Sequence, residues 1–392
     1  MNILFYTTYE VSPYKGGTER ITSTLATTFE KQYSHNCFSM YNTSINANLQ
    51  RTHFKKKYHV SLNNFENEFY LFLKENNIDI IINQGAFDLT KKMRSAINKY
   101  GRGKLITAHH FSPGSEELFF NRHNLRYSLK NKKIRLFIKE ILFPLLRIIH
   151  NYKIKKSYLN AYNYSDCIVL LSEKFKNQFI KYSNIKSESK FYYIPNSLSF
   201  SSFYDMEAYE KKVKEVLIVS RLDNIHKRIS LALKIWKEIE KNKLVNDWKL
   251  TIVGHGEEYE QELKQYIIEN QLNHVQLVGM KNPIPYYRKA SIFMMTSLQE
   301  GWGLTLTEAQ QNGVVPIAFN SYASITDIIE DGYSGFLIPE RNEKAFIKKM
   351  ILLMEDNELR KQLASNAVSS SRRFKIDIIC DKWNNLFSQI SL

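Results

Sequence analysis

The chain has 392 residues, enough for about two to three domains. With 43% hydrophobic and 24% charged residues, 14 Gly and 8 Pro, it is neither disordered, collagen-like nor low-complexity. Its 55 Lys+Arg against 39 Asp+Glu leave +16, and the surplus is uneven: residues 1–200 hold 30 basic and 14 acidic side chains, residues 201–392 hold 25 of each. That asymmetry predicts two domains, the first meeting something anionic: a nucleic acid, a membrane surface or a phosphorylated substrate.

Short, nearly continuous apolar runs alternate with helical patterns along the chain. In the first half they are 3–7, 79–83, 104–108, 166–171 and 190–194; in the second, 216–220, 248–253, 275–278, 291–295 and 314–319. Runs of this kind are strands buried on both faces, so the fold class is α/β with parallel sheets. Two sets predict two doubly wound domains. The join is expected within 195–214, giving domains 1–200 and 201–375. The amphipathic end, 377–390, reads as a helix.

Cys37, Cys167 and Cys380 form no C-x-x-C pair, which argues against a disulfide framework or a zinc site of that kind and points to a reducing, cytoplasmic setting. The N-terminus reads as a first strand, not a signal peptide. The greasiest stretch, 136–149, is interrupted by Lys139, Glu140 and Arg147 and does not span a bilayer as a simple helix.

Ligands of open α/β sheets bind beyond the carboxyl ends of the strands, so polar or glycine-rich residues just after a strand are the candidates. After the run 291–295, Glu300-Gly301-Trp302-Gly303-Leu304 leads into a helix carrying Glu308. Exposed amides at a helix start hold phosphate, and carboxylates accept hydrogen bonds from sugar hydroxyls. Glu300 and Glu308 thus fit two sugar rings flanking a diphosphate; the plain alternative is a turn with a helix-capping acid. After 216–220 come Arg221, Lys227 and Arg228, a fork and point charges suited to a diphosphate, or a solvated basic loop. Gly254-His255-Gly256 is a further turn at the same edge. In the first half, Gly16-Gly17 follows strand one and permits close backbone approach, without the dinucleotide-binding G-x-G-x-x-G. His109 and His110 follow the run 104–108; adjacent residues of an extended chain point apart, so they do not share a metal.

Taken in order, Gly16-Gly17-Thr18-Glu19, Thr107-Ala108-His109, Ile194-Pro195-Asn196, Ser220-Arg221-Leu222 with Lys227, and Glu300 through Glu308 resemble the family-4 retaining glycosyltransferases of GT-B fold, especially the bacterial enzymes of lipopolysaccharide, O-antigen and capsule assembly. The resemblance implies two Rossmann-like domains facing a central cleft: 1–200 for the acceptor, with 376–392 as a return helix packed on it, and 201–375 for the nucleotide-sugar. Arg221 and Lys227 would bind the donor diphosphate, with six residues where the family commonly has five. Glu308 would take the ribose hydroxyls and Glu300 the donor sugar. The amides of Gly301, Trp302, Gly303 and Leu304 would touch phosphate and sugar. Gly16 and Gly17 would line the phosphate or acceptor side. The Thr-x-His register selects His109, rather than His110, as the residue beside the transferred sugar.

The implied reaction is a retaining, metal-independent hexosyl transfer from a nucleotide-sugar, UDP- before GDP-, to a glycolipid or polyprenyl-diphosphate-linked saccharide. It uses no cofactor, and no Asp-x-Asp motif is present. Between Arg122 and Lys156 lie 11 Lys+Arg and one acid, Glu140, among many Leu, Ile and Phe. Such a stretch suits an anionic membrane, which makes the inner face of the plasma membrane the expected location and Lys130, Lys132, Lys133 and Arg135 expected contacts. The competing readings are a GT-B sugar-nucleotide epimerase and a basic nucleic-acid-binding protein. Against the latter, no zinc-finger or RNP1-like signature appears.

Overall fold

A computed structural model describes residues 1–12, 16–44, 53–120, 139–185 and 187–391. Lys130, Lys132, Lys133 and Arg135 lie outside the described residues. The chain divides into two compact units, Met1–Asn196 with Ile376–Leu392, and Ser197–Lys375. The boundary falls at Asn196/Ser197 rather than the expected 200/201. The residues between are tied to the second unit: the Leu198 N–H donates to the Phe374 carbonyl at 2.8 Å, and Gln311 Nε2 donates to the carbonyls of Phe200 (2.8 Å) and Ser202 (3.1 Å).

The described residues of the first unit form a seven-stranded parallel sheet from β1 (Asn2–Tyr9), β2 (Asn36–Thr43), β3 (Lys56–His59), β4 (Ile80–Asn83), β5 (Lys104–His109), β6 (Cys167–Leu170) and β7 (Phe191–Tyr193), in the order β3-β2-β1-β4-β5-β6-β7. Ile3, Leu4, Phe5 and Tyr6 are all fully buried, so side chains on both faces of β1 are covered by helices. β2 and β3 were not expected from the sequence. β2 carries Ser39 and Asn42 within its span and β3 two lysines, which breaks the apolar run.

The helix Ile376–Ser391 belongs to this unit and packs on the helix Gly17–Tyr33. Trp383, Leu386 and Phe387 are buried, and the Phe387 and Phe29 rings lie 5.5 Å apart. Polar ties flank them: Tyr33 hydroxyl donates to Asp381, Gln32 Nε2 donates to Asp377 at 3.1 Å, and His35 Nε2 meets Asn384 Oδ1 at 3.0 Å.

The second unit is a six-stranded parallel sheet of β8 (Val213–Val219), β9 (Lys249–Val253), β10 (Val275–Gly279), β11 (Ala290–Met295), β12 (Val315–Asn320) and β13 (Phe336–Pro339), ordered β10-β9-β8-β11-β12-β13. β13 is the further strand the sequence did not reveal, a four-residue piece ending in proline. Its core packs Trp236, Trp248, Ile252, Ile292, Ile317 and Phe346. In both sheets the winding reverses once, between β1 and β4 and between β8 and β11. A crevice opens at such a switch point on the carboxyl edge. Among the described residues no helix is long and apolar enough to cross a membrane.

Phe387→Ala removes a fully buried ring from the first unit. Denaturant unfolding is expected to show a loss of about 3 kcal/mol or more, with the unfolding of the second unit unchanged.

Candidate active site

The second unit brings most of the sequence candidates together. Arg221 and Lys227 lie in the loop between β8 and the helix Ile229–Glu240; Glu300, Gly301, Trp302 and Gly303 lie between β11 and the helix Leu304–Gln311. These are the two loops that flank the switch point. They are laced together by the Leu298 N–H donating to the His226 carbonyl at 2.6 Å. Thr296 hydroxyl also contacts the carbonyls of Lys227 and Arg228 at 2.9 and 3.1 Å.

Lys227 Nζ donates to Glu300 Oε1, and both side chains are shielded, 20% and 16% exposed. Arg221 is 65% exposed and its guanidinium lies on Asp223, 3.0 Å from Nη2 to Oδ2. Asp223 organises this loop through its other oxygen, which accepts from the backbone N–H of His226 (2.7 Å) and of Lys227 (3.1 Å). Burial by itself raises the Asp223 pKa; these two amides and Arg221 outweigh it and hold the carboxyl below its ordinary value. His226 sits inside the cluster. Burial lowers its pKa, while Asp223, Arg221, Glu300 and Lys227 all act on its charge. The site thus offers an exposed cation lying on Asp223, a shielded cation paired with Glu300, and a helix start.

That helix start is Gly303, whose left-handed φ of 92° no L side chain adopts easily. A Cβ there would sit 2.6 Å from the Tyr322 hydroxyl. Burial, then Glu300, pushes the Tyr322 phenol well up, so it stays neutral beside the acid. Trp302 is buried with its ring edge-on to Phe374. Glu308 is buried as well, with Tyr287 hydroxyl donating to its Oε2 at 3.0 Å. The Gly254-His255-Gly256 turn has a mechanical role. A Cβ on Gly254 would fall 1.7 Å from the Ser220 carbonyl oxygen and one on Gly256 2.2 Å from that of Leu222. The Leu222 N–H donates to the His255 carbonyl at 3.0 Å. The two glycines therefore let the backbone on either side of Arg221 lie against β9's exit.

In the first unit, Gly16 caps the helix Gly17–Tyr33 and Gly17 is its first residue, beyond β1 at the switch point. A Cβ on Gly16 would meet the Glu19 carboxylate at 2.0 Å. His109 and His110 point to opposite faces of the sheet. His109 is buried among Phe87, Tyr158 and Phe179, with Nε2 3.2 Å from the Tyr158 hydroxyl. That hydroxyl also accepts from the Gly114 N–H at 3.0 Å and lies 3.1 Å from both Glu116 oxygens. His110 Nε2 donates to Gln84 Oε1, and Gln84 Nε2 donates to Thr22 Oγ1 at 3.0 Å. Burial depresses both imidazoles, His109 to about 3 with a further contribution from His110, and His110 to about 4.

Several ties within these clusters escaped the sequence reading. Arg228, in left-handed conformation at the helix start, donates to the carbonyls of Thr296 (2.6 Å) and Ser297 (3.3 Å) and forks onto both oxygens of Glu340 (2.6 and 3.3 Å). It fastens one loop to the other, and its acid lies 112 residues away. Asp223, an acid two residues after Arg221 and three before His226, is a readable turn signal in the sequence. Tyr287 and Gln84 carry no local signal.

Two outcomes follow. Gly254→Ala forces the Ser220–Leu222 backbone away and is expected to cost about 2 kcal/mol, read by denaturant melting of the second unit. His109 and His110 have folded pKa values below the unfolded value of 6.5. Their contribution is therefore intact above about pH 6.5 and is lost as pH falls, by up to about 1.4 kcal/mol per pH unit for each. Melting temperature should drop between about pH 7 and pH 5, less steeply in His110→Gln; an unchanged slope in that variant contradicts the assignment.

Comparison with known proteins bears on this geometry. Residues 205–369 match the family described as Glycosyl transferases group 1. The amylovoran biosynthesis glycosyltransferase AmsD of Erwinia amylovora is 27% identical over 60% of this chain, a match spanning 66% of AmsD. A Campylobacter jejuni α-1,4-N-acetyl-D-galactosaminyltransferase, named for an undecaprenol-diphosphate-linked acceptor, is 25% identical over 96% of both chains. Among solved structures, Anabaena HepE in complex with UDP superposes with a TM-score of 0.74 at 18% identity, covering 99% of this chain and 100% of its own. The galactosyltransferase WaaB superposes with 0.68 at 20% identity, covering 99% and 100%. The likeness to these structures establishes the two-Rossmann GT-B fold. Residues 205–369, with the paired loops at the switch point, are a glycosyl transferases group 1 domain.

Proposed function

We propose that the protein is a retaining glycosyltransferase that moves a sugar from a nucleotide-sugar, UDP-linked before GDP-linked, to a lipid-linked or saccharide acceptor in bacterial surface-polysaccharide assembly. The observation that carries this reading is the Lys227–Glu300 pair beside the exposed Arg221, at the switch point of a group 1 domain. The complexes of HepE with UDP and UDP-glucose support the donor class. The name of the Campylobacter enzyme supports the lipid-linked acceptor class, and that of AmsD the polysaccharide-assembly setting.

In the proposed reaction the bond between the anomeric carbon and the diphosphate oxygen breaks, and negative charge grows on the leaving group. Arg221, Lys227 and the helix start at Gly303 stabilise that charge. Glu300 holds Lys227 in place in the free protein and accepts from donor-sugar hydroxyls in the complex, and Glu308 takes the ribose. Retention follows from attack on the face the diphosphate leaves, with a phosphate oxygen receiving the acceptor's proton. No carboxylate nucleophile of the glycosidase kind is then needed. Two cations and a helix end take the part of a metal, so turnover is expected to survive EDTA.

The test is donor turnover with a saccharide acceptor. Arg221→Ala, Lys227→Ala and Glu300→Gln are each expected to lower kcat by about a hundredfold or more, while UDP-sugars raise the melting temperature of the unsubstituted protein. Near-normal turnover in all three variants would sink the site. Turnover of donor without acceptor would favour an epimerase.

A further inference from the structure

His226 stands between the two loops of the second unit's site, and its backbone is pinned from both sides. Its N–H donates to Asp223 Oδ1 at 2.7 Å, and its carbonyl accepts from the Leu298 N–H at 2.6 Å. The Lys227 N–H shares that Asp223 oxygen at 3.1 Å, and Arg228 ends the turn in left-handed conformation. His226 is thus held in place by bonds that its own side chain does not make. The imidazole is half-buried, with Nε2 out of contact with water.

Charged groups reach that ring from both loops: Asp223, Arg221 and Lys227 from its own, and Glu300 from the loop after β11. Arg221 lies on Asp223 and Lys227 on Glu300, so two cations face two acids. Arg228, further along, is engaged by Glu340. With the charges in balance, burial decides, and it holds the imidazole below its ordinary value of 6.5, neutral at pH 7. A nucleotide-sugar upsets that balance, because its diphosphate brings two negative charges that do not titrate near neutral pH. Arg221 and Lys227 already carry their full charge and can add none. Of this cluster, the imidazole is the group that can gain a charge near neutral pH. An anion within about 4–6 Å raises its affinity for a proton by about tenfold or more.

We propose that His226 is a third cation of the donor site, one that takes a proton from solvent when a nucleotide-sugar's diphosphate binds between the two loops and returns it when the diphosphate leaves. This rests on the donor reading given above and adds to it a group that is neutral in the free protein. Proton and donor then assist one another by the same factor. Donor affinity is lowest at high pH, where the complex holds no extra proton. It rises as pH falls through the pKa of the complex and levels off below that of the free protein.

The test is calorimetric titration of UDP-glucose into the whole chain, in two buffers of unlike ionisation enthalpy, which counts the protons taken up per donor bound. The unsubstituted protein is expected to take up protons at pH 7 and to bind about fivefold or more tightly at about pH 6 than at about pH 8. His226→Gln should bind with no proton uptake and with an affinity that is flat over that range. His226→Lys, charged throughout, should also lose the uptake, yet bind at about pH 8 as tightly as the unsubstituted protein does at about pH 6. Binding of UDP-glucose without proton uptake, or with uptake that His226→Gln leaves unchanged, overturns the proposal while the donor reading stands. Failure of both UDP-glucose and GDP-mannose to bind the unsubstituted protein overturns the donor reading, and this proposal with it.

Discussion

The second unit is organised around a charge that cannot be left alone. Lys227 is four-fifths shielded from water, and an ammonium in that position needs a partner. Glu300 supplies it from across the switch point, and everything nearby keeps the two loops at the right separation. Thr296 and Leu298 bond the carbonyls of the first loop, Arg228 clamps Thr296, Ser297 and Glu340, and Asp223 gathers the amides of His226 and Lys227. The pair is held by structure on both sides, so the lysine is already fixed in the fold. Arg221 is the contrasting case: it is two-thirds exposed and lies on Asp223 alone among the described residues.

The sequence was most informative where one physical requirement dominated. Strands buried on both faces must be apolar throughout, and β1, β4, β5, β6, β8, β9 and β11 were legible for that reason. β2 was not: it is buried too, but Ser39 and Asn42 sit inside it, and a periodicity argument has no way to know that Asn42 Oδ1 accepts from the buried Tyr6 hydroxyl. The loops of the site were legible through their glycines and charges. Their mutual arrangement was not, because Arg228–Glu340, Tyr287–Glu308 and Lys227–Glu300 join residues remote in the chain. The Gly254 turn had read as an ordinary tight turn; only the approach of the Ser220 carbonyl reveals what its missing side chain is for.

The two histidines illustrate a limit of register. Alternation along β5 correctly separates them, but it does not say what lies on each face. His109 enters an aromatic cage closed by Tyr158, while His110 joins Gln84 and Thr22 near the first unit's own switch point. Both are kept neutral by burial, so each serves as a hydrogen-bonding group and not as a cation.

The chain leaves the first unit at Asn196 and re-enters it at Ile376. The unit that begins first is therefore completed last during synthesis. Until the final helix emerges, Phe29 and its neighbours on the helix Gly17–Tyr33 lack the Trp383 and Phe387 cover that they have in the finished fold. The uninterrupted segment 197–375 meanwhile has all of its own strands. On the ribosome, the second unit can close its core while its neighbour still waits for the helix Ile376–Ser391, a window in which incompletely covered apolar surface is prone to aggregation.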